Sequence, residues 1–302
     1  MTTSESRADG VPAEGVSRTL IPALARQPGH LFWRASARVS AALAATLPAG
    51  VDIHAYTALL ALAGGVTRSQ QSIAETVSIS RTTMVKVAAG LSAQGLVSRV
   101  RNPEDRRSYA LTRTPEGALA ARRWRRHVED LEDSITQGFS LEEREDMLRL
   151  LLRIVGPDLA PDTPEPLLDS VGFLITRAHF RMHRDFMAAL EPLRIEPRHV
   201  GCLTALEDTG PIPQAELARA LGVSGASIVQ MVDDLEHRGL VERRRRESDR
   251  RTQLLHLLPD ASDVARQARE LGTSVVGARM DRLGAAERRR LMDLLVRLVS
   301  AP

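Results

Sequence analysis

The sequence contains little cysteine, few aromatic residues and no long apolar stretch. Its 302 residues include one cysteine, Cys202, which excludes a disulfide within the chain. Aromatic residues make up 3%, so Leu, Val, Ile and Ala must fill the core, and this composition favours packed helices over a β-sandwich. No stretch approaches the roughly 18 consecutive apolar residues of a membrane helix, and residues 1–30 lack the apolar stretch of a signal peptide. These absences predict a cytoplasmic protein.

Lysine is also nearly absent, because Lys86 is the only lysine among 41 basic residues. Against 38 acidic residues this gives a net charge of +3, which by itself indicates no particular partner. A GC-rich genome would explain the overall preference for arginine, but it does not explain where the arginines cluster. Arginine keeps its charge and makes bidentate contacts to phosphate and guanine, so its clusters indicate where an anionic partner would bind.

Motifs typical of enzymes are missing as well. The sequence has no phosphate-binding loop, no paired cysteine motifs and no nucleophile elbow. It therefore predicts no enzyme, no catalytic residue, no cofactor and no metal site.

What the sequence does contain is an internal repeat. The chain overlays on itself without a gap when it is shifted by 144 residues, the separation of Asp105 from Asp249. One register holds for over a hundred residues, which chance does not explain. Matching pairs include Gln70 and Gln214, Ser80 and Ser224, Val85 and Val229, Gly95 and Gly239, and Arg99 and Arg243.

Proline marks the join between the two copies. Pro161, Pro164 and Pro166 lie within six residues, a spacing that excludes a helix and indicates a short, stiff spacer. We expect a flexible N-terminal tail at 1–30, repeat one at 31–156, a proline-rich linker at 157–166 and repeat two at 167–302.

Each repeat predicts the same order of elements. Helical spacing and cap residues indicate two helices and then two short helices separated by a tight turn. Gly95 and Gly239 follow where a left-handed C-terminal cap is expected. Two strands around a charged turn form a hairpin, before two long helices. This order is a winged helix-turn-helix, so the expected fold class is mostly α with short β-wings (α+β).

The second short helix of each repeat predicts a DNA-recognition helix. Such a helix exposes short polar or cationic side chains that reach base edges in the major groove. The candidates are Ser80, Arg81, Thr82, Thr83 and Lys86 in repeat one and Ser224, Ser227 and Gln230 in repeat two. The spacing assigns Met84, Val85, Val87 and Leu91, and in repeat two Ile228, Val229, Met231 and Leu235, to one apolar face.

Arginines cluster at both hairpin tips. A D-R-R motif occurs as Asp105, Arg106 and Arg107 and again as Asp249, Arg250 and Arg251. An arginine at such a tip fits a narrow minor groove. The run Arg243, Arg244, Arg245 and Arg246 stands where it would contact phosphate. One arginine-rich turn is usually a solvated loop, but two copies in the same context favour DNA binding.

Each repeat resembles the MarR (multiple antibiotic resistance regulator) family. The resemblance rests on the D-R-R wings and on Leu111-Thr112 and Gly117 after the first wing. The run Gly95-Leu96-Val97-Ser98-Arg99 and its copy Gly239-Leu240-Val241-Glu242-Arg243 also fit. Repeat two departs from the pattern after its wing, where Leu257-Leu258-Pro259-Asp260 stands and no glycine follows.

The resemblance implies a bacterial DNA-binding transcription regulator that works as a dimer, with its first and last helices interlocked in a helical body. One chain would then supply both halves as an intramolecular pseudo-dimer, bound to the nucleoid when active. Asp105 and Asp249 would order the wings, and Arg107 and Arg251 would enter the minor groove. Because the two recognition helices differ, we expect an imperfect palindromic operator that repeat one reads more strongly. Whether the chain pairs again as a homodimer stays open.

The resemblance also implies a repressor that releases DNA when a small-molecule effector binds between the body and the reading heads. The candidate pocket residues are Trp33, His54 and Tyr56 in repeat one and His179 and His199 in repeat two. Taken singly, each is better interpreted as a core or partly exposed residue.

Two other sensing chemistries are weaker interpretations. Cys202 is flanked by Val200, Leu203 and Leu206, a pattern that indicates a buried structural thiol rather than an oxidant sensor. His179 and His183 are four residues apart, but no third metal ligand is evident, so two solvated histidines are the better interpretation.

Two alternative functions therefore stay open. One is a tandem winged-helix adaptor that binds proteins and not DNA, and the other is a thiol-based redox-sensing regulator. The adaptor would not require arginines on both wing tips.

Overall fold

The computed structural model describes residues 21–102, 109–246 and 249–301, and for residues 246 and 249–252 it describes the backbone alone. This part of the chain is mostly helical, with two three-stranded antiparallel sheets. The expected fold class is thereby confirmed. Within the same ranges, no helix is both long and apolar enough to cross a membrane.

Residues 21–102 and 109–156 contain seven α-helices and three strands. They are α1 Pro22–Ala25, α2 Pro28–Thr46, α3 Ile53–Ala61, β1 Thr67–Ser69, α4 Gln70–Thr76, α5 Arg81–Ala93, β2 Val97–Arg101, β3 Tyr109–Arg113, α6 Pro115–Ile135 and α7 Leu141–Val155.

Repeat two follows the same order from residue 165 onward. Its elements are α8 Glu165–Leu168, α9 Val171–Leu190, α10 Pro197–Thr209, β4 Ile212–Pro213, α11 Gln214–Leu221, α12 Gly225–His237, β5 Val241–Arg246, β6 Asp249–Leu257, α13 Pro259–Met280 and α14 Ala285–Ser300.

Local sequence signals explain where these elements begin and end. The Ser69 hydroxyl accepts a hydrogen bond from the Ser72 amide at 3.1 Å and starts α4, as a small polar N-cap does. Gly95 and Gly239 both have φ of +68° after their recognition helices, which confirms the predicted left-handed caps.

Each sheet contains one strand that the sequence did not predict. The strand orders are β1-β3-β2 and β4-β6-β5, so β1 and β4 pair with the outgoing strand of each wing. Thr67 lies opposite Thr112, and Ile212 lies opposite Leu255. This third strand fixes the helix-turn-helix to its wing.

The described chain forms two compact units whose boundaries differ from those of the repeats. One unit, the head-one unit, consists of the described residues of Ala42–Arg177, and the other, the head-two unit, combines the described residues of Met1–Ala41 and of Ala178–Pro302. Each has its own apolar core around one helix-turn-helix.

The N-terminal segment belongs to the head-two unit. Residues 21–30 were expected in a flexible tail, but they form α1 and the first turn of α2. The Leu24 side chain is fully buried in a core that also contains Leu203 and Leu206 of α10. Burial of this leucine is the physical reason why the segment is ordered.

The start of repeat two belongs, in return, to the head-one unit. Leu167 of α8 is buried in the core that contains Leu59 and Leu91. The partly buried Glu132 carboxylate on α6 accepts hydrogen bonds from the Val171 and Gly172 amides at the start of α9. Contrary to the expectation from the linker prolines, Pro166 lies inside α8, because proline is tolerated in the first turn of a helix.

Candidate nucleic-acid interface

The recognition helix of repeat one, α5, begins with a serine cap and presents a polar face. The Ser80 hydroxyl accepts a hydrogen bond from the Thr83 amide at 3.0 Å. Arg81, Thr82 and Lys86 are exposed, whereas Met84, Val87 and Leu91 are buried in the core. The cap therefore starts the helix where its first exposed side chains are the candidate base readers.

The recognition helix of repeat two, α12, has the same cap but a different charge. The Ser224 hydroxyl accepts a hydrogen bond from the Ser227 amide at 3.1 Å, and Gln230 is exposed. Its second half carries acidic residues where repeat one has neutral ones. Asp233, Asp234 and Glu236 match Ala89, Gly90 and Ser92.

Val85 and Val229 do not belong to the apolar face to which their spacing assigned them. Val85 is 58% exposed and Val229 is 42% exposed, whereas their neighbours Val87 and Met231 are buried. The prediction was wrong because only the stripe of the helix that packs against the core is buried, and an apolar residue outside that stripe stays exposed. Both valines lie on the same face as the candidate base readers.

Two arginines of the first wing strand gather around one tyrosine. The Arg99 and Arg101 guanidinium carbons lie 5.7 and 4.9 Å from the centroid of the Tyr109 ring. Arg101 and Tyr109 are direct partners across β2 and β3. Cation–π contact holds both cations on this face of the wing. Sequence reasoning missed this cluster, although the hairpin register would have indicated it.

Arg243 of repeat two, which matches Arg99, forms ion pairs with acidic neighbours. The Arg243 guanidinium bonds to Asp233 Oδ1 at 2.7 Å and also to Glu236, both on α12. It donates as well to Gln214 Oε1 at 3.0 Å. These ion pairs offset the charge that was predicted to contact phosphate. Arg244 pairs with Glu242, and Arg245 is exposed.

The wing tips themselves lie largely outside the described residues. Asp105, Arg106 and Arg107 fall in the undescribed segment 103–108. Asp249, Arg250 and Arg251 belong to β6, where only the backbone is described, and the side chain of Arg246 is likewise not described. Their assignment as wing residues stays a prediction.

The linker and α9 both contact the first helix-turn-helix. Asp162 pairs with Arg68 of β1, and this hydrogen bond lowers the pKa of the Asp162 carboxyl. The Arg177 guanidinium donates to the carbonyl of Ser78, which lies in the turn between α4 and α5 with φ of +60°. The linker is thus docked on the reading head within its own unit.

The candidate pocket residues differ in their surroundings. Trp33 is partly buried, and its ring centroid lies 5.4 Å from that of His30 within the head-two unit. His54 is exposed and Tyr56 is buried in the core of the head-one unit, where burial raises the pKa of the phenol. Trp33 and Tyr56 therefore belong to different units.

His179 and His183 of α9 are neighbours and are both partly buried. His179 and His183 have ring centroids 5.5 Å apart, and burial, with a contribution from His183, lowers the pKa of His179 to about 4. Both side chains are partly exposed, so neither is fully solvated and neither is a core residue. Among the described residues, no group of three or more His, Cys, Asp or Glu side chains has the geometry of a metal site.

His199 and Cys202 are both structural residues of α10. The His199 Nδ1 atom accepts a hydrogen bond from the Glu196 amide at 3.1 Å, and the side chain is fully buried. Cys202 is also fully buried, and burial raises the pKa of its thiol to about 12. Because the thiolate is the reactive form, this environment argues against redox sensing by Cys202.

Comparison with known proteins identifies both heads. Two sequence profiles described as the MarR family match residues 49–108 and 195–252. A putative transcriptional regulatory protein for the hcr operon of Thauera aromatica is 32% identical over 145 residues, which are 47% of this chain and 86% of that protein. The HTH-type transcriptional repressor NicR of Pseudomonas putida is 32% identical over 155 residues, 48% of this chain and 93% of that protein.

Among solved structures, the transcriptional repressor CouR bound to a 23-mer DNA duplex matches with a TM-score of 0.41 and 30% identity. The match covers 43% of this chain and 93% of CouR. The two curated relatives each correspond to about half of this chain, and the two profiles fall on its two repeats. The chain therefore belongs to the MarR family of DNA-binding transcription regulators and carries the family domain twice.

Proposed function

We propose that this protein is a sequence-specific regulator of transcription that binds double-stranded DNA and acts as a ligand-responsive repressor. The observation that carries the proposal is the repetition of one surface. In each repeat a serine-capped helix exposes polar side chains beside a strand that carries arginines. Recognition helices place such side chains in the major groove.

The chain is proposed to supply both halves of a family dimer as a pseudo-dimer. Support comes from the composition of the compact units, because each joins one reading head to the first segment of the other repeat. Leu24 is buried in the head-two core and Leu167 in the head-one core. An exchange of this kind is what interlocked halves require. The two heads would then contact half-sites about one DNA turn, ~34 Å, apart.

The two heads are proposed to read an imperfect palindrome, with repeat one binding more strongly. The α5 helix carries Arg81 and Lys86, whereas α12 has Gly225 and Gln230 at those positions. The α12 helix also carries acidic residues, which repel phosphate, and they hold Arg243 in ion pairs.

The proposal also assigns roles to the two wings and to a small-molecule effector. Arg107 and Arg251 would enter the minor groove beside each half-site, where a narrow groove favours arginine. An amphipathic small molecule would bind near Trp33, His54, Tyr56, His179 or His199 and weaken DNA binding. The names of the relatives support repression, since NicR is described as a repressor.

Fluorescence anisotropy with the DNA upstream of its own gene tests the proposal. Affinity should fall steeply as the salt concentration rises, because bound phosphates release counterions. Arg107→Ala and Arg251→Ala should each weaken binding at constant fold. Arg289→Ala, which removes an exposed arginine from α14, is the matched control and should change nothing.

A protein-binding adaptor is the competing function. In that case no duplex would bind even at low salt, and both wing variants would behave like wild type. Footprinting that shows a perfectly symmetric site with equal protection of both halves would contradict the proposed asymmetry but not the proposed DNA binding.

A further inference from the structure

The exposed face of each recognition helix carries one apolar residue that packing does not explain. Val85 is 58% exposed and Val229 is 42% exposed, and they are the same position in the two repeats. Valine is one of the weaker helix formers, and an exposed helix position gives it no packing in return. Single exposed apolar residues are ordinary on protein surfaces, so exposure alone would carry nothing.

The comparison between repeats shows that the residue at position 85 is retained. All residues of α5 and α12 are described, and among the exposed positions of α5 only position 85 keeps its residue in repeat two. Arg81, Thr82, Lys86 and Ala89 are all replaced there, by Gly225, Ala226, Gln230 and Asp233.

No other pair of exposed large apolar residues in the described part of the chain is related by the repeat. Tyr109, Leu119 and Leu141 are exposed, and repeat two has Gln253, Asp263 and Ala285 in their places. The two valines have therefore been kept while their polar neighbours diverged. A requirement shared by both heads, and independent of their charge, would produce this pattern.

The surroundings of the valines identify what they would contact. Val85 is one turn from Arg81 and adjacent to Lys86, so it lies among the exposed candidate base readers. It is the fifth residue of α5, near the N-terminal end through which recognition helices approach base edges. In the major groove the one apolar group on a base edge is the C5-methyl group of thymine.

We propose that Val85 and Val229 each contact a thymine methyl group, one in each half-site. This inference rests on the proposed function. The residues that differ then set what surrounds this thymine. Arg81 and Lys86 favour guanine beside it in the head-one half-site. Gln230 favours adenine in the head-two half-site.

Uracil substitution tests the proposal, because uracil lacks only the methyl group of thymine. A duplex is first selected from a random-sequence pool with the full chain. Each thymine in the major-groove contact region is then replaced singly by deoxyuridine. In each half-site one replacement should weaken wild-type binding by roughly three- to fivefold, the effect of losing about one buried methyl group.

The valine variants assign each thymine to its head. Val85→Ala should abolish the effect at the head-one thymine and keep the effect at the other, and Val229→Ala should do the reverse. Alanine is a better helix former than valine, so both variants should fold. Leu119→Ala, which removes an exposed apolar side chain from α6, should leave both uracil effects unchanged.

Two outcomes would overturn the proposal in distinguishable ways. If a duplex binds but uracil costs the same in wild type and in both valine variants, the valines read no methyl group and the proposed function survives. If the chain selects no duplex at all at low salt, the proposed function fails and this inference fails with it.

Discussion

Gly117 shows how a single backbone approach constrains one residue in repeat one. A Cβ atom at this position would lie 2.0 Å from the carbonyl oxygen of Leu96, far inside van der Waals contact. The same carbonyl accepts a hydrogen bond from the Thr114 amide at 3.1 Å, which ties the end of the wing to the start of α6. Any side chain at 117 therefore has to move this junction.

We predict that Gly117→Ala lowers the free energy of unfolding by about 1–3 kcal/mol, the usual cost of overpacking. Urea denaturation measures the change. Gly90→Ala is the control, since a Cβ at that helical position meets nothing within 4 Å and should stabilise α5 by about 1 kcal/mol. Equal midpoints for Gly117→Ala and wild type would mean that the junction relaxes freely.

His199 predicts how stability depends on pH. Burial, assisted by the charge of Arg198, lowers the pKa of this imidazole from 6.5 to about 4, while Asp234 acts in the opposite direction. The unfolded chain therefore takes up the proton first as the pH falls. The contribution of His199 to stability is present above about pH 6.5 and is lost between about 6.5 and 4.

We expect His199→Asn to flatten the pH dependence of the unfolding free energy between pH 4 and 6.5. The asparagine Oδ1 atom replaces Nδ1 as the acceptor for the Glu196 amide, so the local hydrogen bond is kept. His237→Asn, which removes an exposed imidazole from α12, serves as control. A slope that is identical in wild type and His199→Asn would contradict the assignment.

At the scale of elements, the two recognition helices share a scaffold and differ in charge. Their buried positions keep apolar residues, and both serine caps are formed. The exposed positions change, from Arg81 and Lys86 to Gly225 and Gln230. Packing constrains only the buried stripe, so it does not fix the polar residues of the exposed stripe, which differ between the repeats although Val85 and Val229 are the same.

The double substitution Gly225→Arg and Gln230→Lys should convert head two toward head one. On a duplex with two copies of the head-one half-site, we expect affinity to rise about tenfold, equivalent to about 1.4 kcal/mol. Isothermal titration calorimetry at fixed salt measures the gain. Gly277→Arg with Gln267→Lys adds the same charges to α13 and should give little improvement.

At the scale of the whole molecule, the prediction concerns stoichiometry. If one chain supplies both halves of a dimer, one chain should saturate one operator. Native mass spectrometry of the full chain with the selected duplex should give a complex of one chain and one duplex. Saturation at two chains per duplex would show that the chain pairs again and presents four heads.

The elements themselves were predictable because their signals are local. Ser69, Ser80 and Ser224 cap the helices that follow them, and the glycines at 95 and 239 end the predicted recognition helices as expected. The third strand of each sheet was missed. Strands of two or three residues, such as Ile212–Pro213, carry too little periodicity to be detected.

The amino-acid sequence alone determined the duplication, the winged helix-turn-helix order and the family, because a repeat register and cap residues are read along the chain. The tertiary structure decided three other matters: Val85 is exposed, Arg243 is held by Asp233 and Glu236, and Leu24 belongs to the head-two core. The first depends on which stripe of a helix its neighbours cover, the second on how a strand lies against the preceding helix, and the third on residues that are distant along the chain. Contacts of that kind leave no periodic signal, so folding alone establishes them.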